Sequence, residues 1–313
     1  MNQDADKLVG ARLQNRFDII SILGTGASST VYKANHLLLD QLVAIKVLHS
    51  VHSDSQQSQQ RFQKEATVLN SFTHPNIVRF FSFGSTDDGR NFMVLEFLEG
   101  KTLAEILKEK EALSMTEAMP IFKDICKGLS YAHEHDVIHR DLKPGNVINV
   151  SGENDKTLSK ILDFGVVKTT REDLSMTKTG TLIGSANYMS PEQCSSKEIG
   201  KSTDIYSMGC LMYETLVGAA PMQAETDLLT MSNHLNKTVK YVPAKHGISR
   251  ELERIILRCL EKDSKKRYSN SSELLSALEA ADGTPIAKAP KHTGMLIALA
   301  IGLIAILVTT VTF

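Results

Sequence analysis

Eight consecutive residues, His139-Arg140-Asp141-Leu142-Lys143-Pro144-Gly145-Asn146, constrain this chain more than any other stretch. Pro144 lacks the N–H that a helix interior needs, and Gly145 gives up the most backbone freedom on ordering. The segment is therefore a loop. Apolar residues flank it, Val137 and Ile138 before, Val147, Ile148 and Val150 after. They read as short strands pinning the loop on both sides. The loop carries an acid, a lysine and an amide within a few residues. Phosphoryl transfer uses that set: a carboxylate to orient and accept a hydroxyl proton, a cation beside the moving phosphate, and an oxygen ligand for Mg²⁺.

A chain of 313 residues holds one large two-lobed domain or two ordinary ones, and 42% hydrophobic residues suffice for a core. Lys and Arg total 35 against 36 Asp and Glu, a net charge of −1, so nucleic acid is not expected as the main partner. Cys126, Cys194, Cys210 and Cys259 lack C-x-x-C spacing. They read as thiols in a reducing compartment, not as a disulfide framework or zinc site. His133 and His135 are two apart, so on a helix they diverge by about 200° and do not form a ligand pair. Residues 1–16 are a polar extension without a signal-peptide core.

In chain order, residues 17–23 alternate as a strand and run into Gly24-Thr25-Gly26-Ala27-Ser28-Ser29, with a second strand over 30–34. Gly24 and Gly26 let backbone N–H groups approach phosphates closely. A strand follows this turn where a dinucleotide fingerprint would have a helix. Lys46 lies in the apolar run 42–48, where a buried cation needs a partner or a ligand. A helix over about residues 60–71 shows Phe62, Ala66 and Leu69 on one face, and Glu65 is the only glutamate between Lys46 and Leu95. Strands are expected over 77–83 and 91–97, joined by the turn Asp87-Asp88-Gly89. Beyond Gly100 the periodicity is helical: a short helix from 103 to 107, then helices over 116–133, 202–216 and 254–261, and a closing one over 274–278. Asp163-Phe164-Gly165 follows Asp141 by 22 residues, and a Ser/Thr-rich segment, 166–186, leads to Ser190-Pro191-Glu192.

This ordered set resembles the Hanks-type (eukaryotic-like) Ser/Thr protein kinases, over about residues 17–280. The resemblance implies an α+β fold of two lobes, a β-rich N-lobe over 17–99 and a helical C-lobe over 100–281. It implies ATP and Mg²⁺, and protein substrates with Ser or Thr acceptors. Leu23, Gly24, Thr25, Gly26, Ala27, Ser28, Ser29, Thr30 and Val31 would cover the nucleotide, with Val31 on the adenine. Ala44 would line the pocket, Lys46 would hold the α- and β-phosphates, and Glu65 would pair with Lys46. Backbone groups from Glu96 to Leu98 would meet the adenine edge, with Leu95 behind it. Asp141 would be the base and Lys143 the charge-balancing cation, in the Ser/Thr-specific form of the loop. Asn146 and Asp163 would hold Mg²⁺. Asp204 matches a buried aspartate that bonds the loop backbone, and Glu192 and Arg267 match an ion pair. Arg140 is the expected docking cation for phosphate on Thr177 or Thr179. Two positions depart from the pattern: Ser29 stands for the third glycine, and Ser-Pro-Glu stands for Ala-Pro-Glu. A catalytically weak pseudokinase scaffold is the main rival. It usually lacks the strand lysine or one of the two aspartates, and Lys46, Asp141 and Asp163 are all present.

After a linker over 282–293, residues 294–313 form an uncharged run of 20. As a helix it is about 30 Å long, the thickness of a bilayer core. Lys288, Lys291 and His292 precede it, so a single-pass cell-membrane protein with residues 1–293 in the cytoplasm is expected, either tail-anchored or truncated. Gly294, Ala298 and Gly302 form a small-residue stripe on which two copies could pair as a homodimer.

Overall fold

The computed structural model describes residues 8–26, 29–49, 71–151, 157–164 and 186–283. Six antiparallel strands form one sheet in the order β1-β2-β3-β4-β6-β5. They are β1 (Arg12–Leu13), β2 (Phe17–Thr25), β3 (Ser29–His36), β4 (Gln41–Leu48), β5 (Phe80–Ser85) and β6 (Asn91–Glu96). A smaller sheet joins β7 (Gly100–Thr102), β8 (Val147–Ser151) and β9 (Thr157–Ile161). The helices are α1 (Leu103–Lys110), α2 (Met115–Glu134), α3 (Pro191–Cys194), α4 (Lys201–Val217), α5 (Asp227–Asn236), α6 (Arg250–Cys259) and α7 (Ser271–Ala281). A β-sheet lobe therefore precedes a helical lobe.

Strand alternation divides the first sheet into two faces. Val43, Ile45 and Val47 of β4, with Phe92 and Val94 of β6, join Leu13, Phe17, Ile19, Tyr32 and Ala34 in one core. Ala44, Lys46 and Leu48 have the opposite parity. Leu48 and Met93 belong instead to the larger core, which continues into the helical lobe. The second face of the sheet is thus the one turned toward the other lobe. The sheet also takes in β1, from within the stretch read as an extension, and Leu13 is buried there.

The helical lobe is built around α2 and α4. Ser114 and Glu117 form a reciprocal capping box at the start of α2. Met119, Phe122, Ile125, Cys126 and Leu129 are buried along it. Helix α4 is buried around most of its circumference, which marks it as a core helix. Cys126, Cys210 and Cys259 are buried free thiols, and Cys194 is half-buried.

Three sequence expectations need correction. Val137 and Ile138 are not in a strand; only the downstream arm of the loop is, as β8. The strand expected from residue 77 begins at Phe80, because Pro75 and the bonds of Asn76 and Val78 to Ile161 hold the preceding segment against β9. Short strand β7 and helix α5 have no strong periodic signal and were not expected. The helix with Glu65, residues Ala27 and Ser28, the segment 165–185 and the apolar run 294–313 lie outside the described residues. Among the described residues no helix is long and apolar enough to cross a membrane.

The ion pair expected between Glu192 and Arg267 is present and buried. Arg267 Nη1 and Nη2 lie 2.8 and 2.9 Å from the two carboxylate oxygens. Its remaining N–H groups donate to the carbonyls of Glu261, Ser202 and Lys262. Thr203 Oγ1 donates to Glu192 at 2.9 Å. A pair satisfied this fully is costly to break from one side, because the surviving charge stays buried. Arg267→Ala is expected to lower unfolding stability by about 3–5 kcal/mol, read by urea denaturation.

Candidate active site

The loop is held by one carboxylate. Asp204, in the first turn of α4, is fully buried. Its Oδ2 accepts from the backbone N–H of His139 at 2.8 Å and its Oδ1 from that of Arg140 at 2.9 Å. His133 Nε2 donates to Oδ2 at 2.8 Å, and Ser271 Oγ meets His133 Nδ1 at 3.2 Å. Burial alone would raise the Asp204 pKa. The His133 bond and the His139 N–H outweigh it and hold the carboxyl below its ordinary range. These bonds fix a backbone that is not relaxed, since Arg140 sits at φ 65°. On the other side, Gln193 Nε2 donates to the Arg140 carbonyl at 2.9 Å.

His139 carries this order toward the second aspartate. Its Nδ1 accepts from the N–H of Asp141 at 3.3 Å, so Nε2 carries the proton and donates to the carbonyl of Leu162 at 3.1 Å. Burial pushes the His139 pKa down, which agrees with this neutral tautomer. Phe164 packs on the His139 ring at 4.9 Å and edge-on to Phe72 at 5.8 Å. One imidazole therefore spaces the segment of Asp141 from the segment of Asp163.

Two groups of these side chains are in contact, Asp141 with Lys143 and Asn146, and Lys46 with Asp163. Lys143 Nζ lies 2.9 Å from Asp141 Oδ2. Asn146 Nδ2 donates to the Asp141 carbonyl at 2.8 Å and lies 3.3 Å from Oδ2. That spends the amide nitrogen, so the atom of the Asn146 amide that could serve a metal is its oxygen. Lys46 Nζ lies 2.9 Å from Asp163 Oδ2, linking β4 of one lobe to the segment after β9 of the other. Asp163 is itself at φ 34°. An amide oxygen and a carboxylate are hard donors of the kind that Mg²⁺ takes alongside phosphate oxygens.

Strand register arranges the pocket above these groups. Val31 pairs directly with Lys46, and Ala44 pairs with Leu95. Directly paired residues share a face, so Val31, Lys46, Ala44 and Leu95 line one surface. The β2–β3 register shifts between Ile22 and Gly24, at Leu23. Thr25 pairs with Thr30, and the Gly26 N–H donates to the Ser29 carbonyl at 2.8 Å. A Cβ at Gly24 would meet nothing within 4 Å. The protein's own packing does not require glycine there, so the bare backbone is free to be covered by a ligand.

Several supporting residues escaped the sequence reading. Glu96 was singled out for its backbone, but its carboxylate is bound to Lys160 at 2.8 and 2.9 Å. Its N–H goes to the Arg79 carbonyl. Asn76 Nδ2 donates to the Ser159 carbonyl, and its own carbonyl accepts from Ile161, fixing β9 ahead of Asp163. Of these, only the buried amide of Asn76 beside Pro75 carries a sequence cue. Partners as far apart as Glu96 and Lys160, or Gln193 and Arg140, leave none.

The depressed pKa of Asp204 gives a pH signature. Its contribution is complete above the ordinary carboxyl value of 3.8 and is lost as pH falls through the lowered folded value. Asp204→Asn is expected to cost about 2–3 kcal/mol at pH 7, as loss of charge-assisted hydrogen bonds does. The gap from wild type should narrow below about pH 4. Urea unfolding of both proteins at pH 7 and pH 3 measures it.

Comparison with known proteins agrees with this geometry. Residues 17–278 match the protein kinase domain family. A probable serine/threonine-protein kinase of Clostridium perfringens is 34% identical over 281 residues, covering 89% of this chain and 40% of that protein. Serine/threonine-protein kinase PrkC of Bacillus subtilis is 32% identical, covering 88% of this chain and 42% of PrkC. PknB of Mycobacterium leprae is 30% identical, covering 89% and 45%. The chain thus spans under half the length of these relatives. A crystal structure of a double mutant of the Mycobacterium tuberculosis PknI kinase domain superposes with a TM-score of 0.70 at 20% identity, covering 87% of this chain and 98% of that one. The fold, the converging site and the family match agree: the chain belongs to the protein kinase domain family.

Proposed function

We propose that this chain is a serine/threonine protein kinase that transfers the γ-phosphate of ATP to hydroxyls of protein substrates, its own activation segment included. The observation that carries the reading is the joint placement of Asp141, Lys143 and Asn146 on one loop with the Lys46–Asp163 pair beside it. Asp141 orients the acceptor hydroxyl and takes its proton. Lys143 balances charge on the group in transfer. Lys46 holds the α- and β-phosphates, and Glu65 is its partner in the active state. The β2–β3 turn from Leu23 to Val31 covers the nucleotide, and backbone groups from Glu96 to Leu98 meet the adenine. Asn146 and Asp163 would hold Mg²⁺, which would supply charge neutralisation to the phosphates when bound. Presence of all three signature residues supports catalysis over a scaffold role.

The test is phosphoryl transfer by the full chain with Mg-ATP, beside Asp141→Asn. The variant is expected to be about 10²–10⁴-fold slower, or about 3–5 kcal/mol in barrier. Near-wild-type turnover by the variant would remove Asp141 from this role.

The uncharged run 294–313 supports a membrane tether with the kinase domain in the cytoplasm, and its small-residue stripe supports pairing of two copies. The full chain is expected to stay with membranes through an alkaline wash, and Leu299→Asp with Leu303→Asp to release it. Retention of that variant would count against the tether.

A further inference from the structure

We infer that a groove beside the catalytic loop is a cationic subsite that selects an anionic side chain on the acceptor segment, with Lys108 and Lys245 as its specificity-determining residues. The inference rests on the kinase reading above. The groove, about 570 Å³, is lined by Lys108, Glu111, Lys143, Gly145, Glu214 and Lys245 among others. Lys143 and Gly145 belong to the loop that carries Asp141. A polypeptide presenting its hydroxyl to Asp141 therefore has neighbouring residues at this groove.

The charges there are unevenly available. Glu214 is half-buried and accepts the Tyr188 hydroxyl at 2.5 Å. Burial raises its pKa despite that bond, so it is a poor partner for an incoming cation. Glu111 is already paired with Lys245 at 2.5 Å, and Lys143 with Asp141. Lys108, in the last turn of α1, is exposed and has no ion pair among the described residues. A basic side chain entering the groove would find both carboxylates engaged. An acidic one would meet Lys108, and Lys245 has further N–H donors to share.

The wall is built, not incidental. Glu111 sits at φ 64° and ψ −47°, and the Ala112 N–H donates to the Lys110 carbonyl at 2.8 Å. That is a γ-turn of the rare, strained hand, which persists only where the surroundings enforce it. They do so here. Gly218, at φ 90°, ends α4 so close that a Cβ would lie 2.8 Å from the Glu111 carbonyl oxygen. The Leu113 N–H donates to the Thr215 carbonyl at 2.8 Å, and the Lys245 N–H to that of Leu216 at 3.1 Å. Glu111 and Lys245 are thereby fixed against the same helix end that carries Glu214.

The test uses the full chain, Mg-ATP and peptides with one Thr acceptor. Each flanking position carries Glu, phosphoserine, Ala or Lys in turn. At one or more positions, the Glu or phosphoserine peptide is expected to exceed the Lys peptide about tenfold in kcat/KM, with the gap shrinking as salt is raised. The order of Glu and phosphoserine tells which anion the subsite takes. Lys108→Glu with Lys245→Glu should reverse the preference, read as the ratio of kcat/KM for the Glu and Lys peptides. Lys108→Glu alone, which disturbs no ion pair among the described residues, should at least abolish it. Equal turnover of all peptides, or a preference untouched by both variants, would overturn the subsite and leave the kinase reading standing. Absence of phosphate on every peptide and on the chain itself would overturn both.

Discussion

The site depends on a single buried carboxylate. A loop with three charged side chains, a proline and a glycine has little tendency to hold one shape in water. Asp204 gives it one by taking two successive backbone N–H groups, and it remains ionised because His133 donates to it inside the core. The three donors come from α2 and from the loop itself, and Ser271 of α7 backs the histidine. The carboxylate therefore registers the loop against three helices at once. Together with the Gln193 bond to the Arg140 carbonyl, it holds Arg140 in a left-handed conformation. The position of Asp141 is thereby set by the core.

The second constraint is strand parity. Alternation along β4 sends Val43, Ile45 and Val47 into one core and leaves Ala44 and Lys46 on the face toward the other lobe. A shift of one residue would bury the ammonium among Phe17, Phe92 and Val94. Register with β3 and β6 then places Val31 and Leu95 on that same surface. The Lys46–Asp163 pair is the electrostatic link between sheet and loop, and His139 with Phe164 keeps Asp163 at a fixed distance from the loop.

Much of this was legible in the sequence, because the site is made of short local motifs. Asp141, Lys143 and Asn146 lie within one loop, so their convergence follows from chain connectivity. Lys46 stood out as a cation in an apolar strand, and Asp204, Glu192 and Arg267 through the family resemblance. What stayed hidden depends on tertiary placement. His133 read only as a helix histidine unsuited to metal, yet it is the donor that keeps Asp204 charged. The strained turn at Glu111 has no residue signature at all, since glutamate is not a residue expected at positive φ. The apolar residues of the upstream arm of the catalytic loop read as a strand, but the Val137 N–H turns back to the Ala132 carbonyl and Asp204 takes the N–H groups of His139 and Arg140.

The most direct test of the account is mass-spectrometric mapping of phosphate on the full chain after incubation with Mg-ATP, beside Asp163→Asn. The account predicts phosphothreonine in the segment 166–186, at Thr177 or Thr179, in the wild type and none in the variant. Equal phosphate on both proteins, or none on either with ATP still bound, would contradict it.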